Sequence, residues 1–306
     1  MGNYVRVPEQ DWKNICNSTR SKTGGTDLMK SGDISPAIDS IQTGGGGGAS
    51  PEWFNDGNTH IWITVAEGRQ SMMLGAYVNG TVTIDWGDGT EPNVLTGTRT
   101  NGTAKRTPIH EYAKAGDYII TLSVDGKIVL ANNNAEKDPG LLGFTEESSY
   151  INASLRRAIR KIELGNGIES LAASAFCLHE ALTSIVIPND IIALRKESFR
   201  GCHSLANVTI YSGAKTIYNY TFYECYSLAK ITIPSGVTSI ETYAFGNCYG
   251  MTEYDFSACT SVPKLATTTA FYNINSDCKM LIPSALFDEW STATNWATYA
   301  SYMVAV

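Results

Sequence analysis

The 306-residue chain has no cluster of positive charge along its length. Its net charge of −7 divides as 0 over residues 1–43, −3 over 51–134 and −4 over 135–306, which argues against nucleic acid and anionic membrane surfaces as partners. Long apolar runs are missing as well: none approaches the roughly 18 residues of a membrane span, so no membrane insertion is expected. The first 30 residues carry charges in place of an apolar secretory core, so no signal peptide is visible. There is no HExxH motif, phosphate-binding loop, Ser-His-Asp order or cysteine–histidine pair in a usable context. The expectation is a protein that is not an enzyme and needs no cofactor.

What is present is repetition. Four copies of one 23-residue unit run without insertion from Ile159 to Gly250, and a degenerate fifth opens at Met251. The first position of each unit holds Ile159, Leu182, Leu205 and Leu228, the fourth Ile162, Ile185, Val208 and Ile231, the sixth Leu164, Ile187, Ile210 and Ile233. Alternation of inward and outward positions is the period of a strand. A turn follows, then a second apolar pair such as Val237 and Ile240, then a Phe column at Phe176, Phe199, Phe222 and Phe245. One unit makes one coil. No coil can bury its apolar face alone, so coils must stack with backbones roughly 4.8 Å apart where strands pair.

These columns closely resemble the BspA-type leucine-rich repeat over about Ile159 to Val306. The resemblance implies a solenoid and a bacterial surface-adhesion role. Departures are His179, where the other copies have cysteine, and Tyr211 and Ala214, where proline and valine are usual.

Cys202, Cys225 and Cys248 lie one repeat apart at one repeat position, which reads as a ladder of small buried thiols beside the Phe column. The alternatives are a zinc site from His179, Cys202, His203 and Cys225, which needs ligands that converge, and a disulfide between neighbouring rungs.

Residues 51–134 change to an alternating β pattern with turns expected at Asn79-Gly80, Gly87-Asp88-Gly89 and Asp125-Gly126, an all-β sandwich. The segment Val82 to Thr90 (VTIDWGDGT) with the later His110-Glu111-Tyr112 and Gly116-Asp117-Tyr118 resembles the PKD domain, which implies an immunoglobulin-like sandwich acting as a spacer. Asp85 and Asp88 are the weak calcium or acid/base candidates; the structural reading is that they hold the Gly-Asp-Gly turn while Trp86 packs inside and His110 is hydrogen-bonded in the sandwich.

Residues 1–43 place Trp12, Ile15, Cys16 and Thr19 on one helical face and mark a second short helix with Ile34, Ile38 and Ile41; residues 44–50 are a Gly-rich linker. Such short helices must dock on a neighbour or oligomerise, giving a homo-oligomer or a virion assembly. The opening resembles tail-associated phage and prophage proteins. Residues 135–158 are expected to be a linker and N-terminal solenoid cap, and 159–306 the solenoid, ended by a helix with Ser284 as its cap. Trp290 and Trp296 would either pack under that cap or form a sugar platform.

The expected fold class is therefore mainly β and multi-domain: short helices, a PKD-type sandwich, then a leucine-rich-repeat solenoid with a helical cap. Tyrosine crowds the last repeats. Tyr220 and Tyr243 share one column and Tyr226 and Tyr249 another, so with Tyr218 and Tyr223 they are the candidate ligand-binding residues, although tyrosine also decorates ordinary β surfaces. The expected function is non-catalytic recognition of a cell-surface protein or glycan, extracellular, on a bacterial surface or a phage virion. A structural spacer and a glycan hydrolase using Asp88 are the alternatives.

Overall fold

A computed structural model describes residues 56–67, 71–72, 74–98, 105–130, 157–171, 173–191 and 193–306. The expected N-terminal helices and Gly-rich linker, and residues 135–156 of the expected linker and cap, lie outside them. Seven strands come first: β1 (Thr59–Val65), β2 (Ser71–Met72), β3 (Gly75–Asp85), β4 (Asn93–Gly97), β5 (Lys105–Arg106), β6 (His110–Glu111) and β7 (Gly116–Leu130). β7 pairs antiparallel with β1 and β3, and β3 also with β4 and β5. Of the second layer a sandwich requires, the only sheet among the described residues is the two-stranded β2–β6 pair.

The turns expected at Asn79-Gly80 and Asp125-Gly126 are not turns. Both dipeptides lie inside strands, where Gly80 faces Gly126 across the β3–β7 ladder. Each glycine has positive φ, +122° and +107°, and a Cβ on either would sit 2.2 or 2.3 Å from a carbonyl oxygen of the facing strand. The Asn-Gly signal for positive φ was genuine, but it serves a matched kink in two long strands.

The coils follow as β8 (Ile159–Glu163), β9 (Ile168–Leu171), β10 (Ser184–Ile187), β11 (Ala193–Leu194), β12 (Asn207–Ile210), β13 (Thr216–Ile217), β14 (Lys230–Thr232), β15 (Ser239–Ile240), β16 (Glu253–Asp255), β17 (Lys264–Leu265), β18 (Lys279–Ile282) and β19 (Met303–Ala305). On one side β8, β10 and β12 pair in parallel, as do β14, β16, β18 and β19; on a second side β11, β13, β15 and β17 do so. The third side is a turn segment that still forms a ladder: the N–H groups of Ser174, Phe176 and Leu178 donate to the carbonyls of Lys196, Ser198 and Arg200 one coil on. Two left-handed residues four apart shape it in each of the first four coils, such as Tyr220 and Glu224 (φ 58° and 62°) or Tyr243 and Asn247 (54° and 57°), and Asn273 alone in the fifth.

Inside, the Phe column is continuous. Phe176, Phe199, Phe222 and Phe245 stack at 5.4, 5.3 and 5.3 Å, and Phe271 from the degenerate unit extends the row at 5.6 Å. The Cys202, Cys225 and Cys248 thiols are buried beside it and donate to the carbonyls of Phe176, Phe199 and Phe222 at 3.1, 3.3 and 3.0 Å. Cysteine suits the position because it fills a small apolar slot and still offers a weak donor to a buried carbonyl.

Both ends of the stack are closed. A bare terminal coil would expose strand edges. At the N-terminal end β1 pairs antiparallel with β8 (Ile61 opposite Ile162) and β7 pairs parallel with β9 (Leu130 opposite Leu171), so the first unit and the solenoid share one nine-stranded sheet. The described cap is thus made of strands upstream of 135–158. At the C-terminal end β19 continues the ladder, and side chains stand in for the missing coil elsewhere: Asn295 Nδ2 donates to the Leu265 carbonyl (2.8 Å), Trp296 Nε1 to that of Pro263 (2.7 Å), and the Tyr299 hydroxyl accepts from the Phe271 N–H (3.4 Å). Ser284 does not cap a helix. It opens a 3-10 turn, Ser284–Leu286, ahead of α1 (Phe287–Thr292), and its hydroxyl donates to the Val306 carbonyl at 2.9 Å.

Candidate functional site

Side chains at one repeat position project from neighbouring coils and must meet. At the position of Tyr226 and Tyr249 the meeting is face to face. Their rings stack at 5.6 Å and 22°, and His203 one coil earlier stacks on Tyr226 at 4.6 Å and 7°. Tyr226 and Tyr249 are 39% and 54% exposed. A second row runs alongside: Tyr220 stacks on Tyr243 at 5.1 Å, Tyr223 lies edge-on to both, and Tyr272 meets Tyr243 edge-on at 5.5 Å. These rings are half-buried except Tyr272, which is exposed. The Arg200 guanidinium lies 5.9 and 5.7 Å from the Tyr220 and Tyr223 rings, within cation–π range, and 3.9 Å from Glu197. Tyr218 is exposed but has no ring partner among the described residues, so five of the six candidate tyrosines fall into two rows and the sixth stands apart.

Between the rows lies a chain of amides. Asn273 Nδ2 donates to Asn247 Oδ1 (2.9 Å), and Asn247 Nδ2 donates to the Tyr223 hydroxyl (2.8 Å). Asn275 Nδ2 donates to the Tyr249 carbonyl (3.3 Å). In the sequence His203 shares the column of Tyr226, which marks it for the same row, whereas Asn273 and Asn275 lie out of phase with the exact period because the fifth unit carries three extra residues.

The other candidates make local hydrogen bonds. Asp85 Oδ1 accepts from the Gly87 N–H (2.8 Å), Asp88 Oδ1 accepts from Thr90 N and Oγ1 (3.1 and 2.7 Å), and Asp88 Oδ2 lies 3.0 Å from His110 Nε2. Burial tends to raise the Asp88 pKa, but the Thr90 hydrogen bonds and nearby His110 outweigh it and hold the carboxyl below its usual value. His110 in turn stacks on buried Trp86 at 4.4 Å.

The zinc alternative fails on geometry. His203 stacks outside on Tyr226, while the thiols of Cys202 and Cys225 point at carbonyls inside, and no group of three His, Cys, Asp or Glu converges among the described residues. The described cysteines are free thiols, with Cys202, Cys225 and Cys248 raised in pKa by burial, Cys248 to about 12. Trp290 and Trp296 are buried, packed on Phe256 at 5.2 and 5.4 Å, so they close the core and offer no sugar platform. Among the described residues no helix is long and apolar enough to cross a membrane.

No curated protein matches the sequence. Among solved structures, the chain resembles a leucine rich cell surface protein of Faecalibacterium prausnitzii (21% identity, TM-score 0.38, covering 52% of this chain and 35% of that one). It also resembles a leucine rich repeat protein of T. pallidum (20%, 0.37, 41% and 59%) and the pneumococcal vaccine antigen PcpA (12%, 0.38, 48% and 40%). The chain thus spans less than two thirds of each of these proteins. Residues 152–279, the stretch whose coils carry both tyrosine rows, match the BspA type leucine rich repeat region in six copies.

Proposed function

We propose that the protein is a non-catalytic recognition module of a bacterial surface or a phage particle, binding a cell-surface protein or glycan through the tyrosine rows on the turn side of the solenoid. The single observation that carries this is the stacked His203–Tyr226–Tyr249 row, exposed at Tyr226 and Tyr249, beside the Tyr220–Tyr243–Tyr272 row. Tyrosine contributes rigid apolar area and a hydroxyl at small entropic cost, which is why recognition surfaces are rich in it. A stack of coils presents such groups at fixed spacing without a cleft. A pure spacer has no need of an aromatic strip at its surface. The neighbour described as a cell surface protein is consistent with this placement.

Within this reading residues 51–134 form a PKD-like unit that seats the solenoid, and residues 1–43, which resemble tail-associated phage and prophage proteins, anchor the assembly. The test is binding of the labelled full chain to bacterial cells and to immobilised host matrix. The Tyr226→Ala/Tyr249→Ala double variant is expected to lose at least tenfold in affinity, and equal binding by the variant, or none by the parent, removes the proposal.

A further inference from the structure

Ring faces inside a stacked row are already occupied by neighbouring rings, so along most of their length the rows show solvent only ring edges and hydroxyls. The exception is where they end. On the side facing the fifth coil Tyr249 meets no further ring among the described residues, and the neighbouring row ends in Tyr272, 46% exposed. Between these two ring ends sits the amide chain Asn273–Asn247–Tyr223. Asn247 and Asn273 both occupy the left-handed region (φ 57°), which asparagine tolerates better than most residues, so the backbone of the ladder itself fixes their direction.

We propose that this place, at the junction of the fourth and fifth coils, is a binding site for a neutral glycan; the proposal rests on the recognition reading above and names its ligand class. Three properties favour it. Tyr249 and Tyr272 offer apolar ring surface against which the C–H face of a sugar ring can lie. The hydrogen-bonding groups are those a hydroxyl needs, since a hydroxyl both donates and accepts. The Tyr223 oxygen accepts from Asn247, leaving its own proton to donate, and Asn273 keeps its amide oxygen as an acceptor with no donor among the described residues. The side chains of these two coils are uncharged here: the rows and the positions between them hold tyrosine, asparagine, glycine and threonine, and the nearest charges stand in earlier coils, Glu224 in the column of Asn247 and Arg200 5.7 Å from the Tyr223 ring. An anionic or cationic ligand would find no counter-charge in the fourth and fifth coils, and a protein partner would find two separate rings in place of a contiguous apolar centre.

The experiment is affinity electrophoresis of the full chain through gels containing a mannan, a β-glucan, a galactan or, as the anionic comparison, hyaluronan. Retardation by at least one neutral polysaccharide is expected, weakened at least tenfold by Tyr249→Ala and by Asn273→Gly, and unchanged by Tyr218→Ala. Glycine at 273 removes the amide yet accepts the left-handed backbone, so a folded variant is expected, checked by an unchanged thermal melt. No retardation by any neutral polysaccharide, or retardation that both variants retain, overturns the site. Binding to cells separates the two proposals: cell binding that survives periodate oxidation of surface glycans refutes the glycan while sparing recognition, and absence of all binding refutes both.

Discussion

The N-terminal strands and the coil stack bury their aromatic residues in opposite ways. In the first, one cluster does the work: Trp86 stacks on His110 at 4.4 Å, Tyr112 stands edge-on to Trp86 at 6.4 Å and donates its hydroxyl to the Trp86 carbonyl at 3.0 Å. Its members come from separate segments, and each contact is made once. In the second, one ring contact is repeated from Phe176 to Phe271 with spacings between 5.3 and 5.6 Å. A contact made once gives its sequence no echo, whereas a repeated one writes itself into the chain as a period. Stability follows the same division, since a solenoid sums nearest-neighbour terms while a single cluster stands or falls as a unit.

The largest effects should come from the centres of these two cores. Trp86→Ala and Phe222→Ala are each expected to cost about 3–5 kcal/mol in denaturant unfolding. The comparison sharpens in double variants: Phe199 and Phe222, in contact, should couple by about 0.5–3 kcal/mol, whereas Phe199 and Phe271, three contacts apart along the row, should be additive within about 0.5 kcal/mol. Equal coupling for both pairs would mean that the coils do not act through their neighbours.

The next effect is at the junction, where the two regions share a sheet. A Cβ on Gly165 would lie 2.2 Å from the Asn58 carbonyl carbon, so Gly165→Ala must push the first coil away from the strand unit, at a cost of about 1–3 kcal/mol. Hydrogen exchange is expected to rise in β8 and β9 and to stay unchanged in β14 to β18. Uniform loss of protection would show that the two regions unfold as one.

A smaller and opposite pair of effects follows from titration. The buried thiols have folded pKa values above their ordinary 9.0, Cys248 at about 12, so their contribution is complete below about pH 9 and is lost as pH rises from there towards 12. Asp88 is held below its ordinary 3.8, so its contribution is present above that value and lost as pH falls through the folded pKa. Pulsed hydrogen exchange should therefore show the strand unit opening first as pH falls below 3.8. Above pH 9 the solenoid should weaken first, joined above pH 10 by the strand unit, where burial raises Tyr112. The same order of opening at both extremes would contradict this.

The smallest effect is at Leu178, left-handed at φ 60° in a column where later coils carry Asn247 and Asn273. Leu178→Asn should stabilise by a few tenths to about 1 kcal/mol, read as a shift of the denaturation midpoint.

The coil stack was legible because its columns recur: the buried Phe and Cys rows and a strand over positions three to five stand where the period put them. The strand unit was less so. Asn79-Gly80 and Asp125-Gly126 carry the same local signal as hairpin turns, and only the pairing of Gly80 with Gly126 distinguishes a kink from a turn. Ser284 is a residue type that caps helices, but its hydroxyl donates to the Val306 carbonyl instead. For the candidate site, shared columns predicted that Tyr226 would meet Tyr249 and Tyr220 would meet Tyr243. They did not predict that stacking would hide the ring faces and leave them open only at the row ends.

By itself the sequence determined that successive coils stack, which residues fill the interior, and which side chains form rows, because a fixed period brings identical positions together whatever the rest of the chain does. The tertiary structure alone decided that β1 and β7 close the first coil, that Asn273 reaches Asn247 across the irregular fifth unit, and that Tyr249 and Tyr272 end their rows exposed. Those outcomes depend on contacts made once, between segments whose separation in the chain encodes no distance in space.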